Sequence, residues 1–484
     1  MYFSWKKPMT TLRQSHPRAL PILFLTEMWE RFGFYVVQGL LVLYMTQSFG
    51  WQDSDSYLIL GVFSALVYIS PFVGGFLADK VLGFKSAILW GGFFLILGYA
   101  LLSLPYAELL FYPALATIIV GNGLFKPNIS SLLGVQYSRD NPRRDAGFTL
   151  FYIGINIGAF LAGISSGYIK NFYGFRISFA LSSIGLIIGL ITFFYGLKYI
   201  QSPKQTLPFS ALKSKLFFYC VLTIVALSFL LKVDVLTKWL LPTVGIILLI
   251  FLTVLTLQQN EVYRKRLFIL NLLIISSIIF WMLFLQMFFS ATLFIDRLVD
   301  KQFFGLTLST TVFYASESIF IILLGPLFAK YWDTLGHLQK NPSPVSKFTL
   351  GIFFAGLGFL ILSFSTFFPL PSGLVYPGWI FGGYLCITIG ELLLSPIGLS
   401  AVTLLAPPQL VGMMMGVWFV ATGFGGLFAG MIAKVASIPD TAQTVADKLA
   451  IYHHAFLTFA YLAFFVVIIL FFVQVFLKRF KLAE

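Results

Sequence analysis

The chain has 484 residues, of which 59% are hydrophobic and only 10% charged. A water-soluble fold of this length has too little interior to hide so much apolar surface, so a soluble globular protein is excluded. The net charge of +14 is no nucleic-acid signal, because the basic residues sit in short connections between apolar runs, where they act as topology determinants.

In chain order, Lys6, Lys7, Arg13 and Arg18 precede the first apolar run. That run has no A-x-A-like cleavage site and reads as a membrane helix rather than a removable signal peptide. About 20 apolar residues cross the ~30 Å hydrocarbon core. The sequence offers fourteen such stretches, at 20–47, 56–79, 85–104, 109–136, 146–168, 176–198, 213–231, 239–258, 267–295, 307–332, 348–369, 376–404, 411–435 and 453–477. An even count places both termini on one side. With the N-terminus taken as cytoplasmic, the inner segments hold most of the 32 Lys and Arg, among them Arg139, Arg143, Arg144, Lys204, Arg264, Lys265, Arg266, Lys330 and Lys481. The outer segments hold few, such as Lys170, Lys238, Arg297 and Lys448, as the positive-inside rule requires. The two cysteines, Cys220 and Cys386, lie in apolar stretches and imply neither disulfide framework nor metal cluster.

The first span contains TEMWERFGFY. Glu27 and Arg31 are spaced i,i+4, Glu27 and Glu30 i,i+3, and Tyr35 and Gln38 continue the stripe, so one helix presents a polar wall. The second span ends in GGFLADKVLG (74–83), and GPLFAKYWDTLGH (from 325) repeats its small-residue start, its alanine (Ala78, Ala329) and its Leu-Gly close. This suggests two six-helix halves with the seventh and eighth spans inserted between them. The division is 1–200, 201–266 and 267–484; the plainer reading is two helix ends with turn residues. Lys126 lies in GNGLFKPN, whose glycines permit close helix approach and whose Pro127 can kink the helix. Glu391 lies in GELLLSPIG, ahead of Pro396.

Six charges fall within spans: Glu27, Glu30, Arg31, Lys126, Glu317 and Glu391. Each costs about 2.5–3.5 kcal/mol near a span centre, and together ~15–20 kcal/mol if unpaired. A domain's whole stability is about 5–15 kcal/mol, so these groups must face one another or water. Static ion pairs between helices are one outcome, but buried pairs rarely beat an apolar replacement. A solute pathway is the other. A carboxylate beside a cation stays ionised, and one stripped of cation and water holds a proton. A helix movement that exchanges partners can therefore carry a proton across.

These residues resemble the proton-dependent oligopeptide transporter family of the major facilitator superfamily. The likeness rests on Glu27-x-x-Glu30-Arg31-Phe32-x-x-Tyr35, on GGFLADKVLG with Ile88, on FYIGINIG from Phe151 to Gly158, on GELLLSPIGLSAVTLLAP with Glu391, and on GNGLFKPN with Lys126. It implies an all-α integral membrane protein of the major facilitator fold, with two six-helix bundles plus two extra helices. It implies import of di- and tripeptides in symport with protons by alternating access, with no cofactor beyond the proton gradient. The implied partners are small peptides, protons and the lipid bilayer, with no nucleic acid, and the implied state is a monomer in the bacterial inner membrane with both termini cytoplasmic. By position, Glu27, Glu30, Arg31, Lys126 and Glu391 would couple protons. Lys126 would meet the peptide carboxylate; Glu391 would meet its amino group or pair with Lys126. Phe34, Tyr35, Gln38, Tyr68, Asn156, Trp281, Gln286, Glu317, Ser395, Trp418 and Phe419 would complete the peptide site.

Three positions depart from the family pattern. Gln38 stands where an arginine is common, as in the bacterial di- and tripeptide permease subgroup. Leu285 stands where many members keep a glutamate. Glu317, in ASESIFIILLGP, stands where asparagine is usual; it would grip a cationic amine, replace the proton site missing at Leu285, or simply border a water-filled vestibule. A related carrier for an amino acid, an amine or a peptide-like metabolite is the nearest rival reading. An enzyme is not: His16, His337, His453 and His454 are scattered, with no H-E-x-x-H or G-x-S-x-G.

Overall fold

The structure is a computed structural model, and it describes residues 16–105, 107–138, 141, 143–202, 209–233 and 239–479. Of the basic residues that set the expected orientation, Lys6, Lys7, Arg13, Arg139, Lys204, Lys238 and Lys481 lie outside the described residues.

The apolar runs fold as long helices because a backbone in hydrocarbon must satisfy its own hydrogen bonds. Six helices come first: α1 (Ala19–Ser48), α2 (Asp53–Leu77), α3 (Phe84–Ser103), α4 (Ala107–Val135), α5 (Arg144–Tyr173) and α6 (Phe175–Gly196). A π-turn, Ala78–Leu82, prolongs α2. Gly83 (φ 71°) and Gly174 (φ 84°) then make one-residue reversals into α3 and α6, in the left-handed region where a Cβ is unwelcome. The inserted pair is α7 (Phe209–Lys232) and α8 (Leu241–Leu257). The last group is α9 (Glu261–Phe284), α10 (Ser290–Leu298), α11 (Thr310–His337), α12 (Pro344–Ser365), α13 (Pro377–Leu405), α14 (Val411–Ala433) and α15 (Val445–Arg479). Side chains cap the starts of α9, α12 and α15. Asn260 accepts from the Tyr263 N–H, Ser343 from the Ser346 N–H, and Thr444 and Asp447 form a reciprocal capping box on α15.

Among the described residues, twelve segments are long and apolar enough to span a membrane, with α9 and α10 counted as one. The charged α1, 30 residues long, and the 17-residue α8 complete the fourteen expected spans. Two details differ from expectation. The ninth span is broken: a 3-10 turn at Leu285–Met287 separates α9 from α10. A small hairpin, β1 (Gln302–Phe303) with β2 (Leu306–Thr307), joins α10 to α11 around Phe304 and Gly305, both at positive φ.

Helix neighbours repeat between the halves. In the first, α3 packs on α4 and α6, α2 on α4, and α1 on α5; in the second, α12 packs on α13 and α15, α11 on α13, and α9 on α14. Across the halves, α2 lies along α14 and α11 along α5. Exchanging the halves converts one of these contacts into the other, the signature of parallel repeats about an axis along the membrane normal. The two stretches at 74–83 and 325–336 fall at the ends of the corresponding helices α2 and α11. The inserted helices stand outside: α7 against α4, and α8 against α9.

The bundles are tied at one end. Arg297 on α10 donates two hydrogen bonds to Asp53 at the start of α2, each 2.7 Å, and the Ile438 N–H adds a third at 3.2 Å. Gln47 donates to Asp296, and Thr311 on α11 donates to the Gly163 carbonyl of α5 at 2.6 Å while accepting from the Gly167 N–H. Glycines bring the backbones close here, with Gly61 of α2 against Gly426 and Gly430 of α14.

Candidate functional site

Two groups of buried charge sit in the interior. The first is built by α1 and α4. Arg31 forks onto its neighbour Glu30, Nε to Oε2 at 2.5 Å and Nη2 to Oε1 at 2.6 Å, and lies 3.7 Å from Glu27. Lys126 donates to Glu27 at 2.5 Å. Arg31 also reaches Asn122 Oδ1 at 3.2 Å, and Asn122 Nδ2 bonds the Val67 carbonyl of α2 at 2.8 Å. Both carboxylates are fully buried and Arg31 nearly so, whereas the Lys126 side chain is 29% exposed. The helical stripe explains the grouping: Glu27 and Arg31 share a face, and Pro127 sits beside the lysine that crosses to meet them. Two acids and two bases cancel, which makes such burial tolerable. Lys126 keeps access to water and is the member open to a ligand.

The second group belongs to the other bundle. Glu317 on α11 and Glu391 on α13 are both buried, and their carboxyls lie within hydrogen-bonding reach of each other. Ser318 donates to Glu317 at 3.2 Å. Glu391 Oε2 is buried without a hydrogen-bond partner. Glu391 therefore meets Glu317, and the ion pair expected between Glu391 and Lys126 is not formed in this state.

Aromatic hydroxyls bridge the two groups. Tyr35 is within electrostatic reach of Tyr68, Glu317, Arg31 and Glu391, and Tyr68 of Arg31, Glu391 and Glu317. Tyr152 of α5 feels both acids and bonds with Asn156, yet its surface is 42% exposed. Tyr152 thus combines an accessible surface with the reach of both acids. Tyr35, Tyr68 and Tyr152, from α1, α2 and α5, face the acids of α11 and α13 across the boundary between the bundles.

The other expected contacts divide. Tyr35, Tyr68, Trp281 and Ser395 are half-buried and Phe419 is 42% exposed. The Trp281 Nε1–H is buried without an acceptor. Gln38 donates to Ser64 at 3.4 Å while its Oε1 is unpartnered. Asn156 donates to the Tyr152 carbonyl at 3.0 Å. Three residues are engaged with the protein itself. Phe34 is buried under the Arg31 guanidinium, 4.6 Å from its ring centre. Trp418 is buried between Phe348 and Gly398. Gln286 donates to the carbonyls of Ala429 and Met282 and accepts from Ser290, so it stitches the break between α9 and α10. Leu285 is buried in that same break. Two participants were missed by the sequence reading, Asn122 and Tyr152. Their signals were present: Asn122 is i−4 to Lys126, and Tyr152 is i−4 to Asn156.

A sequence model described as the POT family matches residues 85–449. The chain belongs to the POT family. It is 35% identical to the dipeptide and tripeptide permease A of Yersinia pestis over 447 residues, 91% of this chain and 89% of that one. Among solved structures it resembles a variant of the peptide transporter POT in complex with alafosfalin, at 31% identity and a TM-score of 0.82, covering 97% and 96% of the two chains. It also resembles a POT family transporter in complex with 5-aminolevulinic acid, at 26% identity and a TM-score of 0.84, covering 97% of both. POT membership makes this a multi-pass membrane transporter and not an enzyme.

Proposed function

We propose that this POT-family chain is a proton-coupled symporter that imports di- and tripeptides by alternating access. The observation that carries the reading is the opposition of charge between the bundles, which a chamber between them would present to one solute. Lys126, beside Arg31, offers a partly hydrated cation on one bundle, and Glu391 with Glu317 offers carboxyls on the other. A peptide zwitterion fits that polarity, its carboxylate toward Lys126 and its ammonium toward Glu391. Tyr35, Tyr68 and Asn156 would hydrogen-bond its backbone, while Trp281, Ser395 and Phe419 shape room for side chains. Phe34, Gln286 and Trp418 would hold that wall from behind, and Gln38 would contribute its unpartnered carbonyl.

Coupling follows from the Glu27–Lys126 pair. A peptide carboxylate that draws Lys126 away leaves Glu27 and Glu30 sharing Arg31 alone, and a proton on one of them restores balance. The rocking units are residues 1–200 and 267–484, with 201–266 as a lipid-facing insert. Both termini lie in the cytoplasm of a bacterium, across its inner membrane, so the open chamber faces inward. One chain contains the whole pathway and works as a monomer.

The test is uptake of labelled Ala-Ala into proteoliposomes under an imposed proton gradient. Wild type concentrates the dipeptide, and Lys126→Ala and Glu30→Gln abolish gradient-driven accumulation. Uptake indifferent to the gradient overturns the reading. The complex with 5-aminolevulinic acid motivates the second reading, a carrier for amine-bearing peptide-like metabolites. Uptake of that compound that Ala-Ala does not compete with would favour it.

A further inference from the structure

The first charge group is balanced and the second is not. Glu317 and Glu391 touch, yet no Lys or Arg among the described residues acts on either carboxyl. The titratable groups facing the pair are Tyr35 from α1, Tyr68 from α2 and Tyr152 from α5. The remaining helices packed against α11 and α13, namely α9, α10, α12 and α14, present no titratable group among the described residues that acts on either carboxyl. An ionised carboxylate only accepts hydrogen bonds, so a bond between Glu317 and Glu391 needs a proton on one of them. The pair then carries one negative charge. One ammonium would neutralise it, and a second cation would be matched only if the shared proton left.

We propose that Glu317 makes this end of the chamber a site for two positive charges, selecting peptides whose first residue is itself cationic, such as Lys or Arg. The proposal rests on the peptide reading above and names the substrate class of the same site. The α-ammonium takes Glu391 and the side-chain cation takes Glu317. The shared proton leaves to the water of the chamber as the second cation enters, so charge balances with no bond to the substrate made or broken. Neutral dipeptides bind with the proton retained. The advantage of a dicationic end therefore grows as pH rises and the proton is more easily given up. Asparagine at this position would offer an amide that neither shares a proton nor neutralises a cation.

The experiment measures inhibition of labelled Ala-Ala uptake by unlabelled Lys-Ala and by unlabelled Ala-Ala, in proteoliposomes at pH 6 and pH 8. The readout is the ratio of the two half-inhibition concentrations, which cancels differences in the amount of active protein. In wild type Lys-Ala is the stronger inhibitor, by about tenfold at the higher pH and less at the lower. Glu317→Gln brings the ratio near one at both values, and Glu317→Asp restores part of it. A ratio unchanged in Glu317→Gln, or a wild type that never favours Lys-Ala, overturns the proposal. Should Glu317→Gln fail to fold, the pH dependence in wild type decides alone. Wild type that takes up Ala-Ala with no preference sinks this inference only; wild type that takes up no Ala-Ala sinks the peptide reading and this inference with it.

Discussion

Replacing Arg297 by alanine should open the tied face of the transporter. The fork onto Asp53 joins α10 to α2, and hence one bundle to the other, with two 2.7 Å bonds. The Asp53 side chain is 6% exposed and that of Arg297 30%. Hydrogen bonds to charged partners contribute about 1.5–3 kcal/mol, and the exposed arginine places this pair toward the lower end, about 1.5–2 kcal/mol. Only the difference between states matters. With the face open Asp53 is hydrated and loses nothing, so the full amount is withdrawn from the closed form. Since 1.4 kcal/mol is a factor of ten, the population ratio moves about 10- to 30-fold toward the alternative state. Spin labels at Gln52→Cys and Asp440→Cys, in a background with Cys220 and Cys386 replaced by serine, would report the separation across that face. The variant should show a longer-distance population that wild type lacks or holds as a minor species. Arg297→Lys, which keeps the charge but not the fork, should fall between the two. Identical distance distributions in all three would refute the view that this pair holds the face shut.

Other outcomes follow from single contacts. Gly74→Ala should lower the melting temperature in detergent, because its Cβ would run into the Gly123 carbonyl where α2 crosses α4, an overpacking that costs about 1–3 kcal/mol. Thr311→Val removes the donor to the Gly163 carbonyl and the acceptor for the Gly167 N–H. It should raise labelling of introduced cysteines on the tied face, because both buried backbone groups lose about 1 kcal/mol of bonding each. Gln286→Leu should destabilise the protein in thermal unfolding while leaving the ratio of Lys-Ala to Ala-Ala inhibition as in wild type, since its donors serve Met282 and Ala429.

Much of this architecture is written in residue type alone. Hydrocarbon admits only self-satisfied backbones, so the apolar runs name their own spans, and the six interior charges name where solvent or partners must be. What the spacing of Glu27, Glu30 and Arg31 could not give was the choice of partner. Arg31 takes its neighbour Glu30 through its fork, leaving Glu27 to Lys126, a choice made by the crossing of α1 and α4. Pattern also could not give the contacts that a polar or aromatic side chain makes with the protein itself. Gln286 looks like a ligand contact in sequence, but the helix break beside it leaves carbonyls that only a nearby amide can satisfy. Trp418 fills the space opened by Gly398, a fit between α14 and α13 that no single-chain periodicity encodes. The meeting of Glu317 and Glu391, 74 positions apart, depended on α11 packing against α13.

The Glu27–Lys126 and Glu30–Arg31 arrangement bears on how the carrier responds to voltage. Its formal charges sum to zero, so the transmembrane potential does no net work on it as the bundles rock. One added proton changes that, and each elementary charge carried across is worth about 2.3 kcal/mol per 100 mV. The electrical driving force would therefore act on this centre only while it holds the proton, and the single negative charge of the Glu317–Glu391 pair would be what the field acts on during the empty return stroke.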